Sequence, residues 1–252
     1  MTSFNLGIDV GGSKIAAGLV DRRFRVSKLK VLPTSDSNLL EQLLDLIASY
    51  GCVDAIGIGM PGQVLPSGEV KKLGNIKHWK TVNLKKLLEK RFKVPVNVIN
   101  DAKAFTLAEA VVGGGRNFRS VVGIILGTGI GSGIVFDRQI YIGSNSLAGE
   151  IGHIELLNGQ FLEQEVRKAG RFNKASDARR FLRTLISVIV RSVDPEIILV
   201  GGGWSRIPGM QKELEAIVRT LRKFPPKTKV KVSKLNHAGI IGACLPLFQH
   251  RD

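Results

Sequence analysis

The chain has 252 residues, 44% of them hydrophobic and 6% aromatic, with 37 Lys and Arg against 21 Asp and Glu for a net charge of +16. That length permits one large domain or two smaller ones, and the apolar content is that of a globular chain, not a disordered one. Cys52 and Cys244 are the only cysteines, too few for a disulfide framework or a four-thiol zinc site, and their apolar surroundings predict that both are buried.

The basic residues are spread over 22–30, 85–93, 167–191 and 212–234, mostly interleaved with apolar residues at helix or strand spacing. This reads as solvated faces, and no zinc finger, helix-turn-helix or aromatic ribonucleoprotein motif accompanies them. Nucleic acid is therefore not an expected partner, whereas the positive potential favours the approach of an anionic nucleotide. Met1 to Asn5 carries no charged leader with an apolar block, and no apolar run is long enough to span a bilayer. A cytoplasmic location without a membrane partner is the expectation.

In chain order, residues 4–10 predict a strand, Gly11-Gly12-Ser13-Lys14 a turn and 15–20 a returning strand. Leu39, Leu40, Leu43, Leu44 and Ile47 make the apolar stripe of a helix. A strand over 53–59 ends in Met60-Pro61-Gly62. Another over 94–99 leads through Asn100-Asp101 into a helix over 102–112, which Gly113-Gly114-Gly115 stops. The opening pattern then recurs: strand 121–126, a glycine turn over 127–133, and return strand 134–136. Asp21-Arg22 follows the first hairpin as Asp137-Arg138 follows the second. Phe181, Leu182, Leu185, Ile186, Ile189 and Val190 form a second helical stripe, ahead of a strand over 196–200 that ends in Gly201-Gly202-Gly203. Strand, glycine turn and strand, repeated with helices to cover a sheet, predict two similar α/β lobes facing each other across a cleft. The first lobe spans 1–100, completed by a C-terminal helix at about 238–250, and the second spans 101–237, with the join close to Asp101.

A phosphate needs converging backbone amides with no side chain in the way, which a glycine turn supplies. Gly11, Gly12 and Ser13 form one such turn; Gly127, Thr128, Gly129 and Gly131 form the other. Lys14 can add a point charge, Thr128 a hydroxyl donor, and Asp9 can approach a nucleotide-bound magnesium directly or through water. The order Gly12-Ser13-Lys14 fails the Walker pattern, and Gly57 to Gly62 lacks the helix that a dinucleotide fingerprint requires. One glycine turn alone is a bare hairpin. Two related ones, with the cluster at Gly201 to Gly203, point to a nucleotide.

Several motifs occur in the order seen in the ROK family of sugar kinases and repressors. They are Asp9-Val10-Gly11-Gly12-Ser13-Lys14, Gly57-Ile58-Gly59-Met60-Pro61-Gly62, Asn100-Asp101-Ala102, Gly127-Thr128-Gly129-Ile130-Gly131 and Ala148-Gly149-Glu150-Ile151-Gly152-His153. Asp194-Pro195, Gly201-Gly202-Gly203 and Ala238-Gly239-Ile240-Ile241-Gly242-Ala243 continue the match, so the resemblance spans essentially the whole chain. It implies an α/β, two-lobed actin-like ATPase (ribonuclease H-like) fold with a central nucleotide and sugar cleft, ATP and Mg2+ as cofactors, and a homodimer. It further implies that the two glycine turns hold the phosphates, that Gly201 and Gly202 lie near the adenosine, and that Asp101 is the catalytic base. Gly62, Asn100, Glu150 and His153 resemble the sugar-binding set, and Asn75 with Trp79 matches a position near the sugar.

Phosphoryl transfer to an alcohol needs phosphate-cradling amides, a metal and one carboxylate within reach of the attacking hydroxyl, which suits Asp101. Asn100 or Asp101 can equally be the cap of the following helix, and both roles can hold together. Glu150 and His153, three apart, share a face if that segment is helical; a plain surface pair has the same spacing. The family's three zinc-binding cysteines have no counterpart in residues 154–163. Zinc is not expected, and packing by Leu156, Leu157, Phe161 and Leu162 is expected to hold the loop instead. Phe161-Leu162-Glu163 matches the end of that motif, which implies a sugar contact for Glu163.

The chain is shorter than typical members, so loops around the sugar are trimmed and substrate identity is what this leaves open. The leading expectation is phosphorylation of a hexose, glucose at its 6-hydroxyl, with N-acetylmannosamine, N-acetylglucosamine, fructose or a non-sugar acceptor as alternatives. A non-catalytic sugar-sensing regulator is the other class. Family repressors carry a DNA-binding segment ahead of the first glycine turn, where this sequence has eight residues before Asp9.

Overall fold

The structure is a computed structural model and describes residues 4–71, 73, 78–127, 129–156, 159–164, 174–221 and 226–248. The chain divides into two compact units, Met1–Ala108 with Gly143–Leu147 and His237–Asp252, and Glu109–Ile142 with Ala148–Asn236.

In the first unit β1 (Asn5–Val10), β2 (Lys14–Val20) and β3 (Val26–Pro33) run antiparallel, and β4 (Ala55–Met60) and β7 (Val96–Asn100) join parallel to β1. The order is β3-β2-β1-β4-β7, and a separate ribbon pairs β5 (Glu69–Val70) with β6 (Val82–Asn83). The apolar stripe expected near residue 40 becomes α1 (Leu39–Ala48), which buries Leu39, Leu43, Leu46 and Ile47 against Leu6, Ile8, Ile56 and Ile58. Next, α2 (Leu84–Phe92) begins where the Asn83 side chain accepts the Lys86 amide at 2.9 Å.

Two further helices, α3 (Asp101–Val111) and α6 (Ala238–Phe248), complete this unit, and the division between units falls inside α3. Glycines let α6 lie directly on its neighbours. A Cβ on Gly57 of β4 would stand 2.3 Å from the Ala243 carbonyl, and one on Gly242 would stand 1.8 Å from the Ala104 carbonyl.

The second unit repeats the plan. Strands β8 (Ser120–Leu126), β9 (Ile130–Phe136) and β10 (Gln139–Tyr141) are antiparallel, with β11 (Ile197–Gly201) and β12 (Lys229–Val232) parallel to β8, in the order β10-β9-β8-β11-β12. Helices α4 (Arg179–Ser192) and α5 (Met210–Arg219) bury Leu182, Ile186, Leu214 and Ile217 against Val122, Ile124, Ile198 and Val200. Each sheet is thus an antiparallel triplet joined to two parallel strands, the pattern expected of the repeat.

Several expectations are corrected. The second turn does not extend to 133, because Ile130, Gly131 and Ser132 already pair with Leu126, Ile125 and Ile124 in the ladder. Gly131 and Ser132, being small, imitate a turn. Cys52 is exposed and only Cys244 is buried, since Cys52 lies in the loop between α1 and β4. The two acidic-basic pairs do different jobs. Asp21 accepts the Arg23 and Arg25 amides, both at 2.9 Å, in a longer loop, whereas Asp137 (φ 47°) and Arg138 (φ 64°) form a two-residue hairpin turn. Strand β3, mostly exposed and rich in lysine, has no counterpart in the sequence reading. Among the described residues no helix is long and apolar enough to cross a membrane.

Candidate active site

In the first unit the carboxyl ends of β1, β4 and β7 lie side by side, with Asp9 paired to Gly59 and Met60 to Asn100. Ligands of open α/β sheets bind outside such strand ends. Asn100 is the helix cap: its Oδ1 accepts the Lys103 amide at 3.0 Å, while its Nδ2 donates to the Gly62 carbonyl at 3.0 Å. Asp101 is the first residue of α3, and its Oδ1 accepts the Ala102 amide at 2.8 Å. The capping role therefore rests on Asn100, and the Asp101 carboxylate sits at the positive end of the helix. Gly62 has φ 77°, a left-handed conformation that suits glycine, and so presents its carbonyl to Asn100.

Asp9 and Asp101 are neighbours across Gly59. A Cβ built on Gly59 would lie 3.5 Å from the Asp101 Cα and 3.7 Å from Asp9 Oδ1. Burial raises the Asp9 carboxyl to about 6, with the Lys14 ammonium pulling it down. Gly239 at the start of α6 packs on this carboxylate so closely that a Cβ there would stand 2.4 Å from Oδ2. The first glycine turn is closed by the Gly11 amide donating to the Lys14 carbonyl at 2.9 Å, and Thr34 braces it by donating its hydroxyl to the Gly11 carbonyl at 2.8 Å. Gly12, Ser13 and Lys14 are exposed.

Three residues here escaped sequence reasoning. Lys103, only 3% exposed, donates through Nζ to the Ser146 carbonyl at 2.8 Å, and Gln63 donates to the Asn145 carbonyl at 3.0 Å. Together they hold segment Gly143–Leu147 in this unit. The available signal for Lys103 was a lone lysine within an apolar helix. Gly239 was visible only as part of a motif, and its contact with Asp9 joins residues at opposite ends of the chain. Asn75 lies outside the described residues. Trp79 is a core residue whose Nε1 donates to the Val70 carbonyl at 3.3 Å.

In the second unit Gly127 donates its amide to the Gly129 carbonyl at 3.1 Å, closing the second turn; Thr128 is outside the described residues. Gly201 pairs with Ile125, and Gly202 (φ 84°) lies so close that a Cβ would stand 2.3 Å from the Leu126 carbonyl. Gly127, Gly129, Gly201 and Gly202 thus gather at the carboxyl ends of β8 and β11, while Gly131 lies within β9. A Cβ on Gly127 or Gly203 would meet nothing within 4 Å, which leaves the open approach a phosphate or a base needs.

Glu150, His153 and Glu163 also come together. A 3-10 turn over Ile151–His153 puts His153 Nδ1 3.3 Å from Glu150 Oε2, and His153 Nε2 is 3.9 Å from Glu163 Oε1. The turn is seated on β9 by close packing, a Cβ on Gly152 reaching within 2.6 Å of the Ile130 carbonyl, and by the Ser132 hydroxyl donating to the Gly149 carbonyl. That packing explains the small residues of β9. The loop that follows closes through the Leu162 amide donating to the Ile154 carbonyl at 2.9 Å. Leu162 is buried and Leu156 packs on the core, but Phe161 is 40% exposed and meets the His153 ring edge to face. Leu157 lies outside the described residues. Among the described residues no group of three or more His, Cys, Asp or Glu is arranged to hold a metal ion. The partly buried Asp9 carboxyl beside Lys14 and the open glycine turns nevertheless fit a nucleotide that brings its own cation.

A model of the ROK family matches residues 5–173. The N-acetyl-D-glucosamine kinase of Photobacterium profundum is 27% identical over an alignment of 288 residues that covers 92% of this chain and 95% of that protein. The glucokinase of Streptomyces coelicolor is 36% identical over 159 residues, 60% of this chain and 50% of its own. Among solved structures, the ROK family glucokinase from Streptomyces griseus in complex with glucose and AMPPNP superposes with a TM-score of 0.83 at 25% identity, covering 96% of this chain and 98% of that one. With its two-lobed, actin-like α/β plan, this chain belongs to the ROK family.

Proposed function

We propose that this ATP-dependent sugar kinase transfers the γ-phosphoryl group of ATP to the 6-hydroxyl of glucose, with Asp101 as the general base. The observation that carries the reading is the pair of carboxylates at the strand ends of the first unit. Asp101 stands at a helix start whose cap is another residue, and Asp9, on the far side of Gly59 of β4, is raised by burial. In this reading Asp101 accepts the proton of the attacking hydroxyl. Asp9 would face the magnesium that a bound nucleotide brings, and that ion would supply charge neutralisation at the phosphates. Lys14 and the amides of Gly12, Ser13 and Gly129 take the phosphate oxygens, in turns that the Gly11 and Gly127 amides close, and Gly201 and Gly202 leave room for the adenosine. Sugar hydroxyls are held by Asn100, Glu150, His153 and Glu163, joined by Gly62 and Asn75.

Glucose is favoured by the glucokinase relative and by the glucose-bound neighbour. N-acetylglucosamine is the second reading, because a kinase for that sugar aligns along nearly the whole chain. The family resemblance supports a cytoplasmic homodimer. A coupled assay with glucose, N-acetylglucosamine, N-acetylmannosamine and fructose tests the substrate, and a higher kcat/KM for an acetylated sugar would overturn glucose. Asp101→Asn is expected to lower kcat by about 10²–10⁴-fold with sugar binding retained in calorimetry. Undiminished turnover would remove Asp101 from the mechanism.

A further inference from the structure

We propose that the outer face of β12 is a docking groove for an extended acidic segment of a partner protein. A cavity of about 450 Å³ is lined by Arg116, Asn117 and Phe118, from the turn after α3, and by Lys229 and Lys231. Arg116, Lys229 and Lys231 are exposed, and among the described residues none of them makes an ion pair. The acids nearby are engaged elsewhere. Glu109 accepts the Gly114 amide and the Ser233 hydroxyl, Glu196 accepts the amides of Arg119 and Ser120, and Asp137 pairs with Arg119. Among the described residues the groove is lined by three cations and by no carboxylate.

The groove also lies away from the proposed nucleotide residues of its unit. Lys229 is in line with Ile197 and Val121 at the start of β11 and β8, whereas Gly201 closes β11 four residues further on. At strand rise that is about 13 Å.

The spacing and the surroundings select the occupant. Lys229 and Lys231 project from one face two residues apart, about 6.6 Å, the repeat at which alternate side chains stand on an extended peptide. Carboxylates at alternate positions of such a peptide match both ammonium groups, a further one can take the Arg116 guanidinium in a bidentate pair, and the Asn117 amide suits peptide backbone. Strand addition is not the mode, because Gln211 already covers the β12 edge, accepting the Val232 amide at 2.7 Å and donating to the Val230 carbonyl at 3.0 Å. Nucleic acid fits less well. Phe118 has the Lys229 ammonium 5.0 Å from its ring centroid, and no other aromatic residue lines the groove to stack a base. A second copy of this chain, with 37 basic residues against 21 acidic, is a poor complement.

The test is fluorescence anisotropy of the full chain with a labelled peptide alternating Glu and Ser, with an isomer of the same composition carrying its Glu residues in one block, and with a polyuridylate RNA. The alternating peptide is expected to bind several-fold tighter than the block isomer. The triple variant Arg116→Ala, Lys229→Ala, Lys231→Ala is expected to weaken it at least about tenfold, with kinase turnover and melting midpoint unchanged. A control that removes the same charge from the first unit, Arg22→Ala, Arg23→Ala, Lys28→Ala, is expected to leave binding intact. Equal binding of both peptides, equal loss in the control, or binding of the RNA without the peptide would each overturn the proposal.

Discussion

Asp9 of β1 and Asp101 of α3 stand on either side of Gly59 of β4 in different electrostatic settings. Asp101 is at a helix amino terminus, which favours its charge, while burial works against the charge of Asp9 and raises it from 3.8 to about 6. The folded chain therefore holds the Asp9 proton more tightly than the unfolded chain. Between about pH 4 and pH 6 this residue makes stability fall as pH rises, and above that window the cost is constant. Asp9→Asn should raise the stability of the nucleotide-free protein at pH 7.5 by about 1–3 kcal/mol, leave it unchanged at pH 3.5, and weaken nucleotide binding. Thermal unfolding across pH checks this, and an identical pH slope in both proteins would contradict it. The sequence marks both carboxylates as candidates, through a strand end and a polar pair ahead of a helix. It could not divide the labour between Asn100 and Asp101, because that depends on which side chain meets the Lys103 amide.

Among the elements, α6 shows how one motif serves two purposes. Gly242 faces a backbone atom, the Ala104 carbonyl, which cannot turn aside, whereas Gly239 faces the Asp9 carboxylate, which can. Gly242→Ala should cost about 3 kcal/mol or more, or prevent folding. Gly239→Ala should change stability by less than about 1 kcal/mol, since alanine is the better helix former, and should lower turnover by displacing Asp9. Melting curves and kcat for the two variants separate the cases; equal loss of stability in both would refute the distinction. Local pattern located α1, α3, α4, α6 and most strands, since an amphipathic stripe or an apolar run is written in consecutive residues, and it passed over α2 and α5, whose charged residues interrupt the apolar stripe. It misjudged β9, where Ser132 and Gly133 are small for the sake of Gly149 packed on them, a contact between elements. The loop ending at Glu163 is likewise held by Leu156 and Leu162, with the exposed Phe161 turned to His153.

Across the whole molecule a net charge of +16 opposes compaction. Raising NaCl from about 20 to about 200 mM shortens the screening length several-fold and should raise the melting midpoint by a few degrees at pH 7. A flat or falling midpoint would show that local pairing already offsets the repulsion. The sequence by itself determined the repeated strand, glycine turn and strand, the α/β class and the motif order of the family, because these are properties of neighbouring residues and of their succession. Only the tertiary structure decided that Gly239 closes on Asp9, that Gly202 seats on Leu126, that His153 lies between Glu150 and Glu163, and that Arg116 meets Lys229 and Lys231 in one groove. Each of these joins residues brought near by packing, which the spacing of residues along the chain does not record.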